Sequence, residues 1–353
     1  MKNSNQKIIV VSPSGNFYGS EQVLFDHLAN TKRDFLVFVP KSSFFEEKLK
    51  VLNKHDVRGF SSLRELYMNI LILFFLNKYE CLYINEGGHI KYAAGIAKLF
   101  PKKKVVVHIR LLEDAQQERL GKSLPNNLQL LTISRFVESQ IPKEFSPLMI
   151  YDPMQIQSKE TNHVLQKLKD KKHIAIIGRV TPSKGLEYIR QFLTFFVSSH
   201  YGETIHIHFY GDIEQHIPEV REVYDKFGMN HFSNIKFHGF VKSQDEIYQD
   251  TDAVVHLNRK EPLGRIGLES WSRGIPFYCF NEGGCGEINN TLGMDENCID
   301  FSNGWEERFF KAIDNLNAVK KEKTLERVQV QLKKLFNVDR YVCDVEKHFT
   351  ANL

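Results

Sequence analysis

The sequence is short of the features that place a chain at a glance. Its 353 residues include only five cysteines, Cys81, Cys279, Cys285, Cys298 and Cys343, scattered and with no C-x-x-C pair. That excludes a disulfide framework or a cysteine zinc site as the organising feature and fits a reducing compartment. No long apolar run is present. The longest, Ile70–Leu76, falls far short of the ~20 residues a membrane helix needs. The first residues, MKNSNQKIIVV, carry no apolar stretch with a small-residue cleavage site, so no signal peptide is expected. Excess charge of one sign is lacking too: the net charge is only +4, too mild to argue for a nucleic-acid partner. The glycine fingerprint G-x-G-x-x-G is absent. What is left is an ordinary globular composition, 42% hydrophobic and 25% charged, and the expectation of a cytoplasmic location.

What the chain does have is alternation. Apolar runs, most of them continuous, predict strands at Lys7–Val11, Phe35–Val39, Cys81–Ile84, Val105–Ile109 and Gln129–Ile133. A second set falls at His173–Ile177, Ile205–Tyr210, Ile235–Phe237, Ala253–Leu257 and Pro276–Phe280. Runs apolar on both faces suit a parallel sheet covered by helices on each side. Helical patterns fill the gaps at Glu21–Leu28, Ser62–Asn77, Tyr92–Leu99, Leu186–Ser198, Gln244–Gln249 and Trp305–Val319. The class is therefore α/β, with two Rossmann-like domains at 1–155 and 156–336. The boundary is expected in the polar segment 152–172, after the Asp152-Pro153 turn. A last segment, 337–353, spaces Tyr341, Val345 and Phe349 on one helical face and is expected to dock back on the first domain.

The stretch from His256 to Ile288 carries the chemistry. After the Ala253–Leu257 strand, Glu261-Pro262-Leu263-Gly264 leads into a short helix closed by Gly274 and Pro276. A helix N-terminus exposes unpaired N–H groups and suits a phosphate. Glu269, a turn further in, would repel one but can accept two hydrogen bonds from a vicinal diol. Glu261 lies on the loop side of the same position. Two solvated glutamates are the plain alternative. Upstream, Gly178-Arg179-Val180 follows a strand and Lys184-Gly185 opens a helix. An arginine and a lysine so placed make a diphosphate clamp, the first bidentate and the second a point charge; two surface cations are the alternative.

These segments together, with Gly283-Gly284-Cys285-Gly286-Glu287-Ile288, resemble the retaining glycosyltransferases of family four. The resemblance implies the GT-B fold, two Rossmann-like domains facing each other across a cleft. It implies that Arg179 and Lys184 hold the donor diphosphate, with Gly178 and Gly264 beside it. It further implies that Glu269 binds ribose, that Glu261 binds sugar hydroxyls, and that the loop Glu282–Gly286, through Gly283 and Gly284, closes on sugar and phosphate. In the first domain Gly19 matches the family's glycine loop, Ser134 a strand-ending serine, and His108 a histidine that contacts the sugar. Leu263, Trp271, Arg273 and the Ile109-Arg110 pair depart from the pattern, and Arg265 adds a cation at the phosphate-facing turn.

The function implied is transfer of a sugar from a nucleotide diphospho-sugar to an acceptor hydroxyl, in cell-surface or other glycan biosynthesis. The acceptor would be a glycan, a lipid-linked glycan or a protein. No metal and no cofactor is expected. Lys102-Lys103-Lys104 with the apolar Ile70–Leu76 stretch allow a peripheral contact at the inner membrane face, or a solvated loop and a core helix. A nucleotide-sugar epimerase and a non-catalytic accessory subunit are the alternatives. Three signals are discounted. Asp250-Thr251-Asp252 precedes a strand and reads as a turn or cap. His206 and His208 share a strand face with no third ligand apparent. Asn289-Asn290-Thr291 is a sequon only in a secreted chain.

Overall fold

The structure, a computed structural model, describes residues 7–155, 171–228, 231–316 and 318–349. The chain divides into two compact units, one of residues 1–155 with 335–353, the other of residues 156–334. Most of the expected boundary segment, 156–170, lies outside the described residues.

The first unit is built on a seven-stranded sheet: β1 (Ile8–Val11), β2 (Phe35–Pro40), β3 (Asp56–Phe60), β4 (Cys81–Ile84), β5 (Lys104–Ile109), β6 (Leu128–Thr132) and β7 (Leu148–Met149). The second has six: β8 (Lys172–Ile177), β9 (Ile205–Tyr210), β10 (Ile235–Phe237), β11 (Ala253–His256), β12 (Phe277–Phe280) and β13 (Cys298–Ile299). Every pairing is parallel, in the orders β3-β2-β1-β4-β5-β6-β7 and β10-β9-β8-β11-β12-β13. The order reverses between β1 and β4 and between β8 and β11. These are the topological switch points, where open α/β sheets leave a crevice beyond the strand C-termini.

Ten strands lie within one residue of the predicted apolar runs. The reason shows in the burial: Ile8, Ile9, Val10 and Val11 are all fully buried, as are Val254 and Val255, because helices cover both faces. Three of the four edge strands, β3, β7 and β13, escaped prediction. β3 reads DVRGF and alternates exposed with partly buried positions, and its Asp56 and Arg58 pair at 2.7 Å. Charges on an edge strand block further strand addition, and they also erase the apolar signal. The predicted helix Trp305–Val319 is instead Trp305–Asp314, ended at Asn315, followed by a separate helix Ala318–Leu335.

Helix Val338–Glu346, capped by Asn337 through Arg340 N–H at 2.7 Å, belongs to the first unit. Tyr341, Val345 and Phe349 are buried there among Phe35, Tyr83 and Leu28. Glu346 anchors the helix, accepting from Arg33 at 2.8 Å and from Thr31. Among the described residues no helix is long and apolar enough to cross a membrane.

Candidate active site

The second unit gathers its polar groups at the C-terminal ends of β8 and β11, on either side of the switch point. β8 runs into Gly178, whose N–H donates to Tyr210 O at 2.8 Å, and then to Arg179. Arg179 Nη1 donates to Glu214 Oε1 at 2.9 Å, and its side chain is 58% exposed. Thr181 Oγ1 donates to the other Glu214 oxygen at 2.7 Å, which fixes that carboxylate. Lys184 ends the 3-10 turn Pro182–Lys184, and the next helix, Leu186–Ser198, begins against the backbone at Leu257 and Asn258. That close seat carries Lys184 across to the neighbouring strand end.

There Lys184 Nζ donates to both oxygens of Glu261, at 2.8 and 3.1 Å, and Asn258 Nδ2 donates to the same carboxylate at 3.0 Å. His256 Nε2 stands 3.6 Å away, too far for a hydrogen bond, and its Nε2 has no partner. Burial works against ionisation of Glu261, but the neighbouring His256 and, after it, the ion pair with Lys184 outweigh it. The carboxyl is held well below its usual range. At neutral pH Glu261 is therefore a fixed anion with acceptor capacity to spare.

Two helices start beside it. Gly264 (φ 82°) caps Arg265–Ser272, a left-handed conformation that favours glycine. The segment Glu282–Gly286 is not the expected loop: Gly283–Thr291 is a helix, with Gly284 N–H donating to the Glu261 carbonyl at 2.7 Å. Gly284 packs so closely that a Cβ there would lie 2.5 Å from Leu263 Cα. The glycine pair thus sets two helix N-termini side by side. Glu282 is held by Arg259, with hydrogen bonds of 2.8 Å to both of its oxygens.

Glu269 lies inside helix Arg265–Ser272. Tyr248 OH approaches it at 3.5 Å. Burial raises its pKa, while Arg265 and Arg273 oppose that rise. Arg265, the first residue of the helix, keeps a buried Nη1 with no hydrogen-bond partner. The structure thus brings Lys184, Glu261, Gly264, Gly283 and Gly284 together. Arg179 and Glu269 have their own partners nearby, Glu214 and Tyr248. Sequence reasoning missed Asn258 and Glu214; Asn258, at a strand end three residues before Glu261, was the readable one.

In the first unit Gly19 is the first residue of helix Gly19–Asn30, but its N-terminus is already capped. Glu21 Oε2 accepts from Tyr18 N–H at 3.0 Å. Glu86 stands beside Glu21, and burial together with that neighbouring charge pushes its carboxyl up to about 7. Two carboxyls at a helix start repel a phosphate and suit hydroxyl groups. Ser134 caps helix Arg135–Ser139 through Val137 N–H at 3.1 Å.

His108 is fully buried within β5, its Nδ1 2.9 Å from Tyr83 OH and 3.4 Å from Arg110 Nη2, with Tyr341 stacked on the ring. Arg110 in turn holds Asp152 at 2.6 and 2.7 Å, so Asp152 is a core ion-pair partner rather than a linker turn. Burial and the Arg110 charge keep His108 neutral, its pKa well below the ordinary value. It packs in the core of the first unit, with no face of the ring exposed. Asp252, the second acid of D-x-D, accepts from His173 N–H at 2.8 Å and is a strand cap.

Residues 171–318 match the family described as glycosyl transferases group 1. An uncharacterised glycosyltransferase of Methanocaldococcus jannaschii is 29% identical over 121 residues, which span 34% of this chain and 30% of that relative. Among solved structures, Anabaena HepE in complex with UDP and glucose superposes with a TM-score of 0.74 at 17% identity, over 98% of this chain and 100% of HepE. The lipopolysaccharide outer core galactosyltransferase WaaB, in its apo form, gives a TM-score of 0.71 at 15% identity, over 99% of this chain and 100% of WaaB. The second unit thus matches glycosyl transferases group 1 over residues 171–318, in a chain whose two Rossmann-like units have the fold of the GT-B glycosyltransferases.

Proposed function

We propose that the protein is a retaining glycosyltransferase that moves a sugar from a nucleotide diphospho-sugar to an acceptor hydroxyl in glycan biosynthesis. The observation that carries the reading is the set of cationic groups around the paired helix starts. Lys184 rests on Glu261, the N-termini at Gly264 and Gly283 lie side by side, and Arg265 holds a buried N–H that no described group accepts. A departing nucleoside diphosphate needs such neutralisation, and preorganised charge is usually the largest contribution to rate. Arg179, largely exposed, would swing from Glu214 onto the diphosphate. Glu261, an anion at neutral pH, would accept from sugar hydroxyls, and Glu269 from the ribose diol. The carboxyls of Glu21 and Glu86 place hydroxyl-binding groups at the switch point of the first unit. HepE crystallises with UDP-glucose and TarM of S. aureus with UDP and a glycosylated glycerol, which directs the first assays to uridine donors.

Donor turnover by purified protein with a panel of nucleotide sugars tests the proposal, with the anomeric configuration of the product read by NMR. Product retaining the donor's configuration is expected. Free epimerised nucleotide sugar would support the epimerase instead, and binding without turnover an accessory subunit.

A further inference from the structure

The outward face of the second sheet carries a cluster of imidazoles remote from the nucleotide-binding groups. β9 alternates: Ile205, Ile207 and Phe209 point into the core, leaving His206, His208 and Tyr210 on the other face. Parallel pairing sets His173 opposite His206 and Ala175 opposite His208. A third histidine, 33 positions upstream of the nearest in sequence, therefore joins the pair, which no local spacing shows. His173 Nδ1 lies 2.9 Å from His208 Nε2, and one ring nitrogen of each of the three histidines lies within 4.8 Å of the others.

We propose that His173, His206 and His208 form a binding site for a borderline divalent cation of the zinc type. Zinc–nitrogen bonds of ~2.0–2.1 Å in a tetrahedron put ligand nitrogens about 3.3 Å apart. Modest rotation of partly exposed rings reaches that spacing from the present one. The outer sphere is in place as well. His208 Nδ1 lies 2.9 Å from His238 Nε2, and His238 stacks on Tyr210 at 4.5 Å. With His208 donating Nδ1–H to His238, its Nε2 lone pair faces the cluster, the arrangement that orients metal-bound histidines. Burial also lowers the pKa values of His206 and His208, which keeps both rings neutral and able to donate a lone pair.

The surroundings choose among cations. Lys236 stands opposite His208 on β10, Lys171 lies two residues before His173, and among the described residues no carboxylate joins the three-ring group. Positive neighbours and nitrogen-only ligands disfavour magnesium and calcium, which take oxygen, and leave metals suited to imidazole. Along β8 the cluster ends four to six residues before Arg179, about 13–20 Å at strand rise. The site is therefore separate from the proposed transfer chemistry and does not depend on that assignment.

Metal-depleted full-length protein titrated with zinc against a chromophoric chelator tests the site. One zinc per chain is expected, with a rise in melting temperature and no response to magnesium. His206→Ala and His208→Ala should each weaken zinc by roughly tenfold or more, and His238→Gln by about tenfold through orientation alone. Absence of zinc binding would overturn the proposal, as would unchanged affinity in both ligand variants whose circular dichroism matches the parent. Cobalt(II) gives a reading that needs no variant. Weak d–d bands without a thiolate charge-transfer band support the histidines, whereas such a band assigns the metal to Cys279, Cys285 and Cys298.

Discussion

Lys184 and Glu261 are each other's partner before any ligand arrives, so removing one changes two groups. In Lys184→Ala the Glu261 carboxylate keeps, among the described residues, Asn258 as its short-range hydrogen-bond donor. Turnover should fall by roughly 10²–10³, the scale for losing one oriented stabilising group, as measured in kcat for donor turnover. A near-normal kcat would remove Lys184 from the chemistry. Glu86 makes a prediction of a different sign. Burial and the neighbouring Glu21 push its carboxyl up to about 7 in the folded protein, above the ordinary carboxyl range. The folded state therefore binds the extra proton, and stability present at pH 4–5 is lost as pH rises through 7. Glu86→Gln cannot ionise. It should be neutral at pH 5 and stabilising at pH 8, by on the order of 1–3 kcal/mol, in urea melts at the two pH values. Equal effects at both would show that the pair with Glu21 is not strained by charge.

At the scale of elements, two packing sites lend themselves to test. Gly284→Ala would drive a methyl into the Pro262–Leu263 backbone, which cannot move cheaply. A cost of about 1–3 kcal/mol is expected, together with weaker nucleoside diphosphate binding by calorimetry. A variant as stable and as tight as the parent would show that the two helix starts can separate freely. Phe349→Ala, by contrast, removes a fully buried ring from the floor formed by Phe35 and Tyr83. It should destabilise by about 3–5 kcal/mol without touching the nucleotide site, as a lowered melting temperature with unchanged donor affinity would show.

Elements also explain what the sequence could and could not disclose. Most central strands were legible because burial on both faces leaves an unbroken apolar run; β9, which alternates, is the exception to that pattern. β3 and the two-residue strands β7 and β13 carry too little apolar signal to register. Gly283-Gly284-Cys285-Gly286 read as a loop because glycine is a poor helix former, yet contact with Glu261 and Leu263 rather than propensity makes it a helix. Lys184 and Glu261 were named from their positions at strand and helix ends. Glu214 could not be, since its role depends on a loop that follows a different strand. The third histidine of the sheet-face cluster was hidden for the same reason: strand register brings it in, and register is not local.

At the scale of the whole molecule, a metal question separates two readings of one protein. If diphosphate charge is met by Lys184, Arg179 and the helix starts, transfer should persist in excess chelator. The same treatment should strip any zinc from the histidine face. Activity abolished by chelator and restored by magnesium or manganese would mean that a metal carries the diphosphate charge.

The first unit is discontinuous in sequence, and that has a consequence for its synthesis. Its core lacks Tyr341, Val345 and Phe349 until the chain has grown roughly 190 residues past position 155. At about 5–20 residues per second on the ribosome, this leaves an apolar floor around Phe35 and Tyr83 uncovered for some 10–40 seconds. The second unit emerges complete in that interval, while the one begun first waits for its last helix. In the cell, this nascent half-core is the surface a chaperone would meet.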